Sequence, residues 1–197
     1  MVYGRYKGIR NAAWQTLIDF HVTQLPVHVM RIAKTAGIRV LKNEQVQMLS
    51  DNQCGLSILI DAQWFVIYDE TMSVTRKRFT IAHELGHIFL GHALKEGFHA
   101  RQFEGAHPED EQEANMYAIR LLAPACVLWG LHLHTPEEIA DACEISLSSA
   151  QWRAKRMGEL YRRNKFLTSP LEKRVYAQFK DYIVRFNRGE RDQKNDT

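Results

Sequence analysis

The chain has 197 residues, and its 26 Lys and Arg against 23 Asp and Glu give a formal net charge of +3. Hydrophobic residues make up 45% of it, which is ordinary for a globular protein and argues against a disordered chain. The length supports one main domain with an appended helical segment. The small net charge gives no strong indication of a nucleic-acid partner.

The cysteines and the apolar segments indicate the compartment. Cys54, Cys126 and Cys143 are odd in number and lack paired spacing, which favours reduced thiols over disulfides or a structural zinc knuckle. The first ten residues lack the apolar segment of a signal peptide, and no apolar run is long enough to span a membrane. We therefore expect a cytoplasmic protein with an intracellular substrate and no membrane partner.

The N-terminal part predicts two helices. Residues 11–23 have the pattern of an amphipathic helix. Pro26 begins a second helix that continues to about Ala36, and Gly37 ends it.

A small sheet is predicted next. Residues 38–41 form a short strand, and two β-rich runs, 56–60 and 64–68, are separated by a hairpin turn at 61–63. We expect the strand 64–68 to lie at the sheet edge, where an extended substrate could add as a further strand.

The helix predicted over about 75–90 carries the motif His83-Glu84-x-x-His87. Histidines four residues apart lie on one face of a helix, so both imidazoles can bind one zinc ion. Glu84 then lies where a carboxylate can take a proton from the water that attacks the substrate. The surrounding residues are largely apolar, which predicts a buried helix whose His and Glu side chains need partners.

A third ligand is sought in the helix predicted over 108–122, where Pro108 is a plausible first residue. A helical wheel places Asp110 and Glu113 on the apolar face, whereas Glu109 and Glu111 project to either side. The spacing leaves Asp110 and Glu113 open as the ligand.

His92 is a weaker candidate for the third ligand. An extended zinc motif would need Gly at position 90 and His at position 93, whereas this chain has Gly91 and His92. The group that would stabilise an oxyanion stays open among His92, His99, His107 and Tyr117.

The C-terminal part predicts a helix-turn-helix-like pair. Thr135-Pro-Glu-Glu138 is a capping box for a helix to about Cys143, and Ser146 or Ser148 caps a longer helix to about Arg163. Six basic residues in the segment 151–165 leave DNA contact open: Arg153, Lys155, Arg156, Arg162, Arg163 and Lys165. Packing or partner binding is favoured, because apolar residues at helical spacing share the same helix.

Two further segments complete the chain. Residues 170–187 predict another amphipathic helix, and the charged tail 188–197 lacks apolar residues and is expected to be disordered. We expect an α+β fold: a metallopeptidase domain over residues 1–130, a helical extension over 131–187, and the tail.

Three segments together resemble the ImmA/IrrE-type zinc metallopeptidases: residues 79–87, residues 111–115 and residues 121–124. The resemblance covers about residues 12–160, and Ala123 departs from the Met that this family commonly has before the closing Pro. It implies a small zincin-like fold in which the acidic residue directly before Ala-Asn, here Glu113, is the third zinc ligand.

The resemblance therefore implies that His83, His87 and Glu113 bind Zn²⁺ and that Glu84 is the general base. It further implies an intracellular endopeptidase, associated with mobile elements or stress responses, that cleaves a helix-turn-helix transcriptional repressor and relieves repression. The alternative is a regulatory DNA- or protein-binding module with the same fold and little or no hydrolysis.

Overall fold

The computed structural model describes residues 3–92 and 107–189, and within them it contains ten helices and three strands. The α+β fold class predicted from the sequence is confirmed. In chain order the elements are α1 (Tyr3–Asp19), α2 (Val29–Thr35), β1 (Arg39–Lys42), α3 (Asn43–Val46), β2 (Gly55–Ile60), β3 (Gln63–Tyr68), α4 (Val74–Phe89), α5 (Pro108–Leu122), α6 (Ala125–Gly130), α7 (Pro136–Cys143), α8 (Leu147–Arg162), α9 (Pro170–Gln178) and α10 (Lys180–Asn187).

The three strands form one sheet in the order β1-β3-β2. β2 and β3 form the predicted antiparallel hairpin, and its turn residues Asp61 and Ala62 both have positive φ, as a tight hairpin turn requires. β1 pairs with β3 in parallel, with Arg39 opposite Phe65. The prediction that 64–68 is an edge strand is therefore wrong, because β3 is the central strand. β2 is an edge strand, and its first residue, Gly55, lies against α4.

The helix predicted over 11–23 is α1, which runs from Tyr3 to Asp19, and most other predicted helices have bounds close to those expected. Local signals explain this, since Ser73, Thr135 and Ser146 each accept a hydrogen bond from the backbone N–H three residues later. The helix predicted over 170–187 is divided at Phe179 into α9 and α10, and the short helices α3 and α6 were not predicted. The prediction of a disordered tail over 188–197 falls almost entirely outside the described residues.

In the core, α4 packs closely against α5 at Gly86. A Cβ atom on Gly86 would lie 3.0 Å from Cδ1 of Tyr117 and 3.3 Å from Cα of Ala114. Tyr117 is fully buried, and its hydroxyl lies 2.7 Å from the hydroxyl of Thr16 on α1. The absence of a side chain at Gly86 thus lets the backbones of two helices approach each other.

The hydrophobic core is continuous between the sheet-bearing part and the C-terminal helices. One cluster of buried residues contains Leu85 and Leu121 together with Ile139, Val175 and Phe179. The predicted domain boundary at residue 130 stays a prediction, and the C-terminal helices share this core.

The three cysteines are free, as expected, and burial raises the pKa of the Cys126 and Cys143 thiols to about 12. No helix in residues 3–92 and 107–189 has the length and apolar character needed to cross a membrane.

Arg78 connects α4 to the turn between α7 and α8. Its guanidinium donates hydrogen bonds to the backbone carbonyls of Val27, Cys143 and Glu144, at 3.1–3.2 Å. The Arg78 side chain is 12% exposed and lies 3.7 Å from the Glu144 carboxylate. This contact fixes the start of α8 relative to α4.

We predict that Arg78→Met lowers the free energy of unfolding by about 2–3 kcal/mol, because partly buried carbonyls lose a charged donor. Urea denaturation measures this change. The matched control is Arg76→Met, since Arg76 is exposed, and its effect should stay within about 0.5 kcal/mol. Equal effects of the two substitutions would contradict the bridging function of Arg78.

Candidate active site

His83 and His87 bring their Nε2 atoms within 2.9 Å of each other on one face of α4. The carboxylate of Glu111 on α5 lies against both: Oε2 is 3.2 Å from Nε2 of His83, and Oε1 is 3.2 Å from Nε2 of His87. Ligands bound at 2.0–2.1 Å around a tetrahedral ion lie about 3.3 Å apart. Two imidazoles and one carboxylate at these separations therefore fit a zinc ion.

A residue of α5 fixes the ring orientation of His83. Nδ1 of His83 lies 3.0 Å from Oδ1 of Asn115. An N–H at Nδ1 that donates to this oxygen leaves the lone pair of Nε2 directed toward Glu111 and His87, as a metal ligand requires. Glu111 and Asn115 are four residues apart, so one face of α5 supplies both contacts.

The predicted ligand Glu113 lies elsewhere in the structure. Its carboxylate is buried and lies 3.0 Å from Nε2 of His92, in a second cluster that also contains Asp110. The structure brings His83 and His87 together with Glu111 and not with Glu113. Asp110, the alternative that the helical wheel left open, is also in the second cluster.

The position of Glu111 has a physical reason. The inward face of α5 is centred on Ala114 and Tyr117, which pack in the core, whereas His83 faces an open cleft beside that core. A ligand for a site open to substrate must come from the flank of the helix. Glu111 lies there, and its side chain is 43% exposed. Asn115, four residues after Glu111, was the sequence feature that could have pointed to Glu111.

Glu84 forms part of the cleft wall beside His83. It is only 7% exposed, and strand β2 approaches it closely: a Cβ on Gly55 would lie 3.0 Å from Oε1 of Glu84 and 2.5 Å from Cγ2 of Thr80. Only glycine fits at this position without movement of its neighbours. The predicted base is thus a largely desolvated carboxylate beside the edge strand.

The cleft has a volume of about 740 Å³ and is bounded by three parts of the fold. The start of β2 and the preceding loop form one wall, and the first turn of α8 forms the opposite wall. α4 and α5 form the floor. The residues that α8 contributes are Ser146, Ser148 and Ser149.

The sequence model of a peptidase family, described as the IrrE N-terminal-like domain, matches residues 33–155. The chain belongs to this metallopeptidase family. The matched region contains the residues of both cleft walls, together with α4 and α5, which form the floor. No curated protein is significantly similar to the chain.

The charges at this site stabilise one another. Burial alone would lower the pKa of His83, but the adjacent carboxylates of Glu111 and Glu84 outweigh it and raise that pKa. Hydrogen bonds from His83 and His87 hold the pKa of Glu111 far below its usual value. The carboxylate is therefore ionised at neutral pH, as a metal ligand must be.

Two oxyanion candidates face away from the cleft. The Tyr117 hydroxyl contacts Thr16 in the core, and His92 is buried behind His87. His107 immediately precedes α5, and His99 lies outside the described residues.

We predict that Gly55→Ala lowers the free energy of unfolding by about 1–3 kcal/mol, because the new methyl group overpacks the contact with Thr80 and Glu84. The double variant Gly55→Ala/Thr80→Ser removes the methyl group at 2.5 Å and should recover part of this loss. Thermal and urea denaturation measure both changes.

The matched control is Gly158→Ala on α8, where a Cβ meets nothing within 4 Å. It should be neutral or stabilising by up to about 1 kcal/mol, since Ala favours a helix interior. Full stability of Gly55→Ala would contradict the close approach of β2 to Glu84.

Proposed function

We propose that the protein is a zinc-dependent endopeptidase in which His83, His87 and Glu111 hold the zinc ion. One observation carries the proposal: two imidazoles converge with an ionised carboxylate, and His83 and Glu111 line an open cleft beside the buried Glu84. A structural zinc site is normally closed by four protein ligands, whereas an open position is typical of catalytic sites. Membership of a metallopeptidase family supports the same reading.

Bound zinc would supply Lewis acidity at the scissile carbonyl and the attacking water. Glu84 accepts the proton of that water as the oxygen forms its bond to the carbonyl carbon. It then donates the proton to the amine nitrogen as the C–N bond breaks.

The substrate proposed is a helix-turn-helix transcriptional repressor, whose cleavage would relieve repression in the cytoplasm. The shape of the cleft supports an extended substrate. β2 pairs only with β3 within the described residues, so its other edge can accept a strand that continues past Gly55 toward Glu84. A compact domain offers no such strand, so the cut should fall in a linker or a locally unfolded segment.

The helix pair α7–α8 is proposed to contact the substrate and not DNA. The N-terminal turn of α8, which would contact bases in a DNA-reading helix, lines the cleft instead. Of its basic residues, Arg153 is only 5% exposed, and Arg156 pairs with Glu159 and lies over the ring of Tyr6. These contacts remove two cations from the surface that DNA would need.

We predict that Glu84→Gln keeps zinc content and melting temperature but loses proteolysis by at least about 10²-fold. The assay is cleavage of a purified repressor encoded beside this gene, with the cut mapped by mass spectrometry. Full activity of Glu84→Gln would exclude Glu84 as the base. Absence of cleavage by the zinc-loaded wild type would reject that repressor as the substrate.

Control variants separate the base from the ligands. His83→Ala and Glu111→Ala should each lose zinc as well as activity, measured by metal analysis after dialysis. A substitution at an exposed residue of α10, Val184→Ala, should change neither zinc content nor activity. Retention of stoichiometric, tightly bound zinc by Glu111→Ala would contradict the ligand set.

A further inference from the structure

Directly behind His87 lies a second cluster made of His92, Asp110 and Glu113. All three are buried, and the His92 side chain is fully enclosed. Nε2 of His92 lies 3.0 Å from Oε2 of Glu113 and 3.7 Å from Oδ1 of Asp110. Its other ring nitrogen, Nδ1, lies 3.1 Å from Nδ1 of His87.

The contact between His87 and His92 allows only one arrangement of protons once His87 holds a metal. A ligand through Nε2 needs a lone pair there, so neutral His87 carries its proton on Nδ1. That N–H donates to Nδ1 of His92. Neutral His92 must then carry its own proton on Nε2, where it donates to the carboxylate of Glu113.

The second cluster has the composition of a metal site, but it competes with the first for the same proton. A metal on Nε2 of His92 would place the His92 proton on Nδ1 and make it the donor to His87. Nε2 of neutral His87 would then carry a proton and could not bind metal. With neutral imidazoles, the two clusters cannot be filled together. Only the one with His83 and Glu111 opens on the cleft.

We propose that His92 is a positioning residue that fixes the proton and ring orientation of the metal ligand His87, and that Glu113 and Asp110 hold His92 in that state. This inference rests on the proposed metal site. It assigns the buried cluster to hydrogen bonding and not to a second ion, so residues 3–92 and 107–189 provide one metal site.

Such outer contacts matter because a ligand that donates a hydrogen bond to an acceptor is better oriented and more basic. The two carboxylates beside His92 favour an N–H directed at them, and burial strengthens that preference. His83 contacts the neutral amide of Asn115. His87 contacts the imidazole of His92, which in turn contacts the carboxylate of Glu113. Loss of His92 should therefore weaken metal binding without removing a ligand.

The experiment compares three substitutions in the full chain. In His92→Asn the amide oxygen takes the place of Nδ1, so it can still accept from His87. In His92→Gln the amide group takes the place of Nε2, and the acceptor for His87 is lost. Glu113→Gln keeps the size and an acceptor oxygen for His92 but removes the charge. The probes are zinc affinity by chelator competition and the visible absorption spectrum of the Co²⁺-loaded protein.

We expect His92→Gln to bind zinc about 10–100-fold more weakly than the wild type and to alter the Co²⁺ spectrum. His92→Asn should lie within a fewfold of the wild type, and Glu113→Gln should fall between them. The melting temperature of the metal-free proteins serves as the reference for a purely structural effect. The wild type should bind one Zn²⁺ or Co²⁺ per chain.

Several outcomes would overturn the proposal. These are unchanged affinity in both His92→Gln and Glu113→Gln, equal loss in His92→Asn and His92→Gln, or two tightly bound ions per wild-type chain. If the glutamine variants do not fold, the metal stoichiometry and the Asn variant still decide. A wild type that binds no metal at all would instead reject the proposed function from which this inference starts.

Discussion

The close packing of α4 against α5 at Gly86 is the constraint on which the rest of the structure depends. The helix backbones meet there because Gly86 has no side chain, and Tyr117, held by Thr16 of α1, fills the adjoining space. A pair of helices at this separation places Glu111 of one within 3.2 Å of the histidines of the other. A bulkier residue at position 86 would separate the carboxylate from the imidazoles.

The same two helices divide the polar groups between solvent and core. His83, Glu84 and Glu111 face the cleft, whereas His92, Asp110 and Glu113 are enclosed behind it, and His87 contacts both sets. Burial of His92, Asp110 and Glu113 is tolerable because His92 contacts both carboxylates. The cleft-facing set can exchange water and substrate. The enclosed set can only orient its neighbours, which is how one short stretch of sequence can supply both a site and its support.

Local signals made much of the fold predictable. The histidine pair, the hairpin turn and the capping box at Thr135 depend on neighbours within a few residues, and the structure contains each of them. A helical wheel alone could not identify the proposed third ligand. Glu111 and Glu113 differ by which flank of α5 meets the cleft, and that depends on how α5 packs against α4. The central position of β3 likewise depends on parallel pairing with β1, which no local pattern reveals.

The most direct test of this account is a crystal structure of the zinc-loaded protein, with data collected at the zinc absorption edge. We expect one anomalous peak in the cleft, about 2.0–2.2 Å from Nε2 of His83, Nε2 of His87 and the carboxylate of Glu111. The fourth coordination position should be open toward Glu84. A peak between His92 and Glu113, or a site in which Glu113 replaces Glu111, would contradict it.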